Sequence, residues 1–505
     1  MSIGRVKSVS LLGLLGNVIE IEVDIADGIP IFTLLGLPDT SLQESKDRIR
    51  AALTNSGQRW PHKKVTASLS PAWLPKSGSG FDCAIAIALL ISDGALPQHV
   101  FEDIVIIGEL SLEGRLRTVK GVLPSLIAAH QAGITRAIVP AQCADEASLL
   151  PSMQVLTFDS LSEIFHWVAT GEYNPTVVES ESQESQSELD YVDVAGQAQA
   201  RFAAEVAATG GHHMLLIGPP GTGKTMIASR IPTILPLLSE EQSLEVTAIH
   251  SIAGNINRRA VLSRSAPIVS PHHSASRSAI VGGGARGITP GAISLAHHGV
   301  LFLDEAPECS IDTLNALRQP LESQSVTITR QVGTVTFPAQ FLLVLAANPC
   351  PCGKYNGKGR GCTCSSLQVR KYLGKLNGPL MDRIDIRVTV EPVSRVELSS
   401  TELGESSTSI RKRVIAARLL AAERLSQFGW QLNSQMSART LRTHFSPERS
   451  AMNFLHDELD KENITARGLH AIIRLSWTLA DLAGGRTPTL TDVHNAYALR
   501  SGGYQ

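Results

Sequence analysis

The chain has 505 residues, of which 43% are hydrophobic and 18% charged, with a formal net charge of −2. That is apolar material for about two to four buried cores, and too little net positive charge for the whole molecule to be a nucleic-acid surface, so any polyanion must meet local patches. No run of about 18 uncharged apolar residues occurs, and the start MSIGRVKSVSLLGLLGNVIEIEV lacks the apolar core and cleavage site of a secretory signal. The sequence therefore predicts no membrane span and a cytoplasmic address. Seven cysteines are too few for a disulfide scaffold, and in a reducing compartment four of them packed into one loop favour a metal.

In chain order, VIEIEVDI sets Ile19, Ile21, Val23 and Ile25 against Glu20, Glu22 and Asp24, the period of a half-exposed strand. SLQESKDRIRAALTNSG follows as a helix with a capping box, Ser41 and Glu44, and a terminating Gly57. These patterns predict a mixed α/β domain over residues 1–171. Residues 172–190, EYNPTVVESESQESQSELD, are rich in Ser, Glu and Gln and read as a flexible linker. From 191 to 393 the apolar runs HMLLIG, GVLFLDE and QFLLVLAAN alternate with helical and irregular segments, as in a parallel sheet covered by helices. Within this region VTITRQVGTVTFPAQF reads as a hairpin turning through Arg330, Gln331, Val332 and Gly333. From 394 to 505 the spacing is helical, with Leu469, Ile472, Ile473 and Leu479 able to share a face, which predicts a small helical C-terminal domain.

GPPGTGKT, comprising Gly218, Pro219, Pro220, Gly221, Thr222, Gly223, Lys224 and Thr225, follows a strand-like run and precedes a helical one, the context of a phosphate-binding P-loop. Backbone N–H groups at a helix N-terminus would cradle the phosphates of ATP, Lys224 would reach the outer ones and Thr225 would offer its hydroxyl to Mg²⁺. VLFLDE ends in Asp304, placed to hold the Mg²⁺, and Glu305, placed to polarise the attacking water. Two solvated acids at a strand end are the alternative. Asn348, at the end of QFLLVLAAN, can hydrogen-bond the water or the γ-phosphate. Arg383 in GPLMDRIDI and Arg467 in TARGLHAIIR suit charge spread over phosphoryl oxygens, although on spacing alone each reads as a surface salt bridge.

Together these motifs resemble the Walker A, Walker B, sensor 1, arginine finger and sensor 2 of an AAA+ ATPase. SPHHSASRSAIVGGGARGITPGAISLAHHGVLFLDEAPE narrows the resemblance to the Mg-chelatase-like group, and NPCPCG with the N-terminal region to the ComM/YifB family. The resemblance implies a homo-oligomeric ring, usually a hexamer, in which Arg383 reaches a neighbour's ATP while Arg467 acts within its own subunit. Members of the ComM group are DNA branch-migration motors that assist recombination of incoming DNA. LPKSGSGFDCAIAIALL and GELSLEGRLRTVKGVLPSLIAAHQAGITRAIVP resemble the Lon protease domain, here of ChlI type. Matching the shared PK places Gly80 where the nucleophile belongs, and matching the second stretch places Leu123 where the base belongs. Neither can serve a Ser–Lys mechanism. Ser77 or Ser79 with Lys120 is the displaced alternative. The expectation is a Lon-type fold without peptidase activity, used for assembly or for binding a protein partner.

The loop 348–364, NPCPCGKYNGKGRGCTC, holds Cys350, Cys352, Cys362 and Cys364, a set able to close a structural Cys₄ zinc site. An unliganded reduced cluster and redox or iron–sulfur chemistry remain as other readings. Between Cys350 and Lys375 stand six basic residues, Lys354, Lys358, Arg360, Arg370, Lys371 and Lys375, and no acidic one. Lys354, Lys358 and Arg360 are candidate DNA contacts, as is Arg330, because related helicase rings project a hairpin from its position towards the pore. A solvated basic face and an ordinary exposed turn are the alternatives. The leading expectation is an ATP-driven DNA motor of branch-migration or helicase type. A Mg-chelatase-like ATPase that remodels a partner enzyme is the first rival. A scaffold with structural ATP is the second, opposed by intact Lys224, Asp304, Glu305 and Arg383.

Overall fold

The computed structural model describes residues 3–36, 39–74, 76, 78–174, 189–255, 264–284, 288–330, 333–355, 361–376, 378–394, 397 and 404–502. Most of the expected linker, the hairpin tip at Gln331 and Val332, and Ser77, Lys358 and Arg360 lie outside the described residues.

The first sheet has seven strands in the order Phe32–Leu35, Lys64–Ser70, Leu15–Ala26, Gly4–Leu12, Ile104–Ile106, Arg136–Pro140 and Gln154–Phe158. Strict alternation in Leu15–Ala26 buries Ile19, Ile21 and Val23 completely and leaves Glu20 and Asp24 exposed. The helix Asp82–Ser92 is apolar all round because almost every residue of it is buried. The helix expected from Ser41 is described from Asp39, so Ser41 lies within it rather than ahead of it. Gly57 takes a left-handed φ of 80° just past its end.

The second sheet has five parallel strands in the order Ile268–Val269, Val300–Leu303, Leu342–Ala347, Met214–Ile217 and Ile386–Thr389. Its inner strands are buried on both faces, which is why they read as unbroken apolar runs. Parallel direction puts three neighbouring strand ends on one edge, so Gly218, Asp304 and Asn348 emerge side by side. The segment carrying Arg383 precedes Ile386–Thr389 and lies at the opposite edge. The expected hairpin is present, Ser325–Arg330 pairing antiparallel with Gly333–Pro338.

After Ile386–Thr389 the described residues form helices, chiefly Ser407–Leu425, Arg449–Asp460, Ala466–Leu482 and Leu490–Ser501. The expected face of Leu469, Ile472, Ile473 and Leu479 is buried. A buried polar chain ties these helices to the sheet: His212 Nδ1 lies 2.9 Å from Asp385 Oδ2 and Nε2 lies 2.8 Å from Thr478 Oγ1. Asn433 bridges Thr478 to Asp481, which also accepts from Arg424. The chain is thus a mixed α/β protein with a parallel-sheet core and a helical C-terminal region, and no helix among the described residues is long and apolar enough to cross a membrane.

Candidate functional site

Lys224 opens the helix Lys224–Ile234 directly beneath the P-loop. Its ammonium donates to the Gly218 carbonyl at 2.6 Å, the Pro219 carbonyl at 2.9 Å and Asn348 Oδ1 at 3.1 Å. Burial pushes its pKa down, against the pull of Asp304 and Glu305. The Thr225 hydroxyl donates to Asp304 Oδ2 at 2.8 Å, and Asp304 Oδ1 accepts the Glu305 N–H at 2.9 Å. Glu305 Oε2 lies 3.1 Å from His273 Nδ1. Lys224, Thr225, Asp304, Glu305 and Asn348 therefore form one constellation, and its donor set fits Mg²⁺ with a nucleotide triphosphate: a buried ammonium, a hydroxyl converging with a carboxylate, and a free helix N-terminus.

The two arginines are elsewhere. Ile217 is level with Thr389 and Met214 with Ile386. Arg383 is therefore separated from its own P-loop by at least about 10 Å of strand. Arg467 Nη1 donates to Asp382 Oδ2 at 3.2 Å, next to Arg383, which itself pairs with Glu322. Both arginines line a cleft of ≈ 690 Å³ between the sheet and the C-terminal helices, with Asp382, Glu322, His470 and Arg474, and no P-loop residue is among its lining. Arg467, expected to serve its own subunit's nucleotide, lies in this packing beside Arg383 rather than among the P-loop residues.

The sulfurs of Cys350, Cys352, Cys362 and Cys364 all lie within 4.8 Å of one another, a set able to hold zinc. Of the candidate polyanion contacts, Arg330 is exposed at its strand end, and an ideal Cβ on Gly283 would meet its Nη2 at 3.1 Å, which sets it against the short ribbon of Gly282–Gly283 and Thr289–Pro290. Lys354 is exposed on the cysteine loop.

Three family profiles match the chain: "Magnesium chelatase, subunit ChlI" over residues 190–398, "Subunit ChlI of Mg-chelatase" over 21–143, and "Magnesium chelatase, subunit ChlI C-terminal" over 404–500. An uncharacterized protein of Mycobacterium tuberculosis is 45% identical over 503 residues, 100% of this chain and 99% of that protein. YifB of Escherichia coli, also described as uncharacterized, is 39% identical over 507 residues, 99% of this chain and 97% of its own. The competence protein ComM of Haemophilus influenzae is 38% identical over 491 residues, 96% of this chain and 94% of its own. The chain belongs to the ComM/YifB family of Mg-chelatase-like AAA+ ATPases.

A weaker likeness, 27% over 172 residues, links this ComM/YifB-family chain to the Lon protease of Salinispora arenicola, covering 32% of this chain and 22% of that protein. Among the described residues no Ser–Lys pair forms. The Ser79 hydroxyl donates to Glu109, and the Lys120 ammonium donates to the Ala253 carbonyl at 3.3 Å, across the boundary with the ATPase core. Leu123, expected from the sequence match to stand where a Lon base would, is fully buried in a cluster with Leu149 and Ala248.

Sequence reasoning missed two residues at the nucleotide site. His273 touches Glu305, and only the His–His doublet before the SAS turn marked it. Gln197 Nε2 donates to the Thr222 carbonyl at 3.1 Å from a left-handed φ of 56°, with no local pattern to signal it.

Proposed function

We propose that the chain is an ATP-hydrolysing motor that acts on DNA, of branch-migration or helicase type, serving recombination of incoming DNA in the cytoplasm. The observation that carries the reading is the hydrolytic constellation of Lys224, Thr225, Asp304, Glu305 and Asn348 in a chain aligned end to end with a competence protein.

Lys224 and the backbone donors of Gly218–Thr225 would hold the phosphates, and Thr225 with Asp304 would hold Mg²⁺, which when bound would supply positive charge for the phosphoryl oxygens. Glu305 takes the proton of the attacking water, and His273 fixes its carboxylate. Asn348, bonded to Lys224, orients that water and couples it to the central strand. Because Arg383 and Arg467 share a cleft remote from their own P-loop, both complete the site of a neighbouring subunit, which makes a closed ring, most simply a hexamer, the working form. Arg330, with Lys354, Lys358 and Arg360, meets the DNA backbone. The N-terminal domain serves assembly and partner binding rather than peptide hydrolysis.

A second reading, remodelling of a partner enzyme, is favoured by the Mg-chelatase profiles that cover the same core. ATP hydrolysis with and without single-stranded, duplex and four-way-junction DNA separates the two, with Lys224→Ala as the blank. Stimulation by DNA that falls as salt rises is the expected result. Ordinary basal turnover unmoved by any DNA would overturn the DNA reading in favour of a protein substrate.

A further inference from the structure

The cysteine loop has more to do with the nucleotide site than its place in the sequence suggests. Cys350 Sγ lies 3.3 Å from Cys352 Sγ and 3.7 Å from Cys362 Sγ, and Cys352 Sγ lies 3.6 Å from Cys362 Sγ. Around a single tetrahedral ion with metal–sulfur bonds of about 2.3 Å, neighbouring sulfurs are about 3.8 Å apart. The cage is the size of one ion and too small for a multi-iron cluster, and all four thiols are free rather than paired in disulfides. Four thiolates on one divalent ion carry a net charge of −2, which the acid-free run from Cys350 to Lys375 offsets.

Two contacts join this cage to the P-loop. Cys350 stands two residues after Asn348, whose Oδ1 accepts from Lys224 at 3.1 Å. Gly353 follows Cys352 directly, with a left-handed φ of 73°, and an ideal Cβ there would come within 2.5 Å of Pro220 Cδ. No residue but glycine brings the loop backbone onto the P-loop proline in this way. On its other side the cage leads from Cys364 into the helix Ser366–Gly374, capped by Ser365.

We propose that Cys350, Cys352, Cys362 and Cys364 bind one Zn²⁺ as thiolates and that this ion is a strut of the nucleotide site, fixing Asn348 and Pro220 relative to each other. The metal-binding half stands on the sulfur geometry alone; the coupling half rests on the nucleotide reading above. Binding releases the thiol protons as the four Zn–S bonds form, with no change of oxidation state.

The test begins with elemental analysis of full-length protein purified without a metal-affinity column. About one zinc per chain is expected, with Co²⁺ replacement giving the intense visible absorption of a tetrahedral thiolate site. Iron in place of zinc, or absence of metal with all four thiols titrating freely, would overturn the assignment. The coupling is read as affinity for a fluorescent ATP analogue in wild type, in wild type stripped of zinc by a mercurial, and in the stripped protein reloaded with Zn²⁺. Recovery on reloading separates loss of the ion from loss of the fold. Loss of affinity by about tenfold or more on stripping, regained on reloading, is expected. Unchanged affinity would overturn the strut while leaving the zinc. Failure of untreated, zinc-loaded protein to bind the analogue would instead overturn the nucleotide reading.

Discussion

Glu305 takes a left-handed backbone conformation, φ 49°, that costs a residue of its type on the order of 1 kcal/mol, and its carboxylate is held by His273 at 3.1 Å. Strain kept beside a phosphate loop makes sense where the side chain's aim matters more than local stability. Glu305→Gln is expected to bind ATP as wild type does and to lower turnover by about 100-fold or more, read by equilibrium binding and phosphate release. His273→Ala should leave ATP affinity in place and lower kcat several-fold; turnover equal to wild type would remove its positioning role. His297 makes a prediction about pH. Its ring is 4% exposed, Nδ1 accepts the Gln340 N–H at 3.0 Å, and the neutral ring therefore carries its proton on Nε2, 3.3 Å from Glu245. Burial, helped by the charge of His298 and opposed by Glu245, pushes its pKa from 6.5 down to about 4. The unfolded chain then binds the extra proton between these values, so this stabilisation is complete above pH 6.5 and is lost as pH falls through 4. The urea midpoint of wild type should fall across that window, and that of His297→Asn, which never titrates, should fall less.

At the scale of elements, the parallel sheet divides the candidate residues into two groups by edge. P-loop, Asp304 and Asn348 share one edge, and Arg383 with Arg467 the other, so on the proposed reading a complete site needs two subunits. Mixing two inactive variants tests this. Lys224→Ala subunits lack a competent P-loop but keep both arginines, whereas Arg467→Ala subunits keep the P-loop. If Arg467 acts across the interface, mixed rings contain some complete sites and ATP turnover returns; if it acts within its own subunit, no complete site forms and none returns. Arg383→Ala mixed with Lys224→Ala should behave the same way. Much of this core was legible in the sequence, because strands buried on both faces must be apolar throughout and the residues just after them carry the chemistry. The half-buried strand Leu15–Ala26 was legible by its strict period of two, and the hairpin by two β-type runs around a turn. The side of the sheet on which Arg467 arrives was not, since it depends on how the C-terminal helices dock through His212, Asp385 and Thr478, contacts that no local spacing encodes. His273 was hidden for a related reason, lying in irregular chain with no periodicity to aim it.

At the scale of the whole molecule, the Lon-like N-terminal region packs on the ATPase core along a shared surface. Leu123 packs against Ala248, and Glu146 accepts the Leu123 N–H at 2.7 Å together with the Ser251 hydroxyl from the ATPase core. Burial raises the Glu146 pKa, opposed by those two donors. The second contact is sharper. The turn between Gly4–Leu12 and Leu15–Ala26 sets Gly13, at a left-handed φ of 64°, directly on Val335 of the hairpin Ser325–Arg330/Gly333–Pro338, with Leu12 packed beside Gly333. A Cβ at position 13 would collide with Val335 Cγ1. Gly13→Asn is the informative change, because asparagine tolerates the left-handed turn and leaves the strand pair intact while still placing that Cβ against the hairpin. Amide exchange over Gly333–Pro338 is expected to quicken by about tenfold, equivalent to about 1.4 kcal/mol of lost local stability, with protection of the strand Leu15–Ala26 unchanged. Quickening in both places would mean that the turn itself had failed. Unchanged exchange in the hairpin would mean that the N-terminal domain touches it without bracing it, and the domain's hold on the ATPase core would then rest on the contacts of Leu123, Glu146 and Lys120.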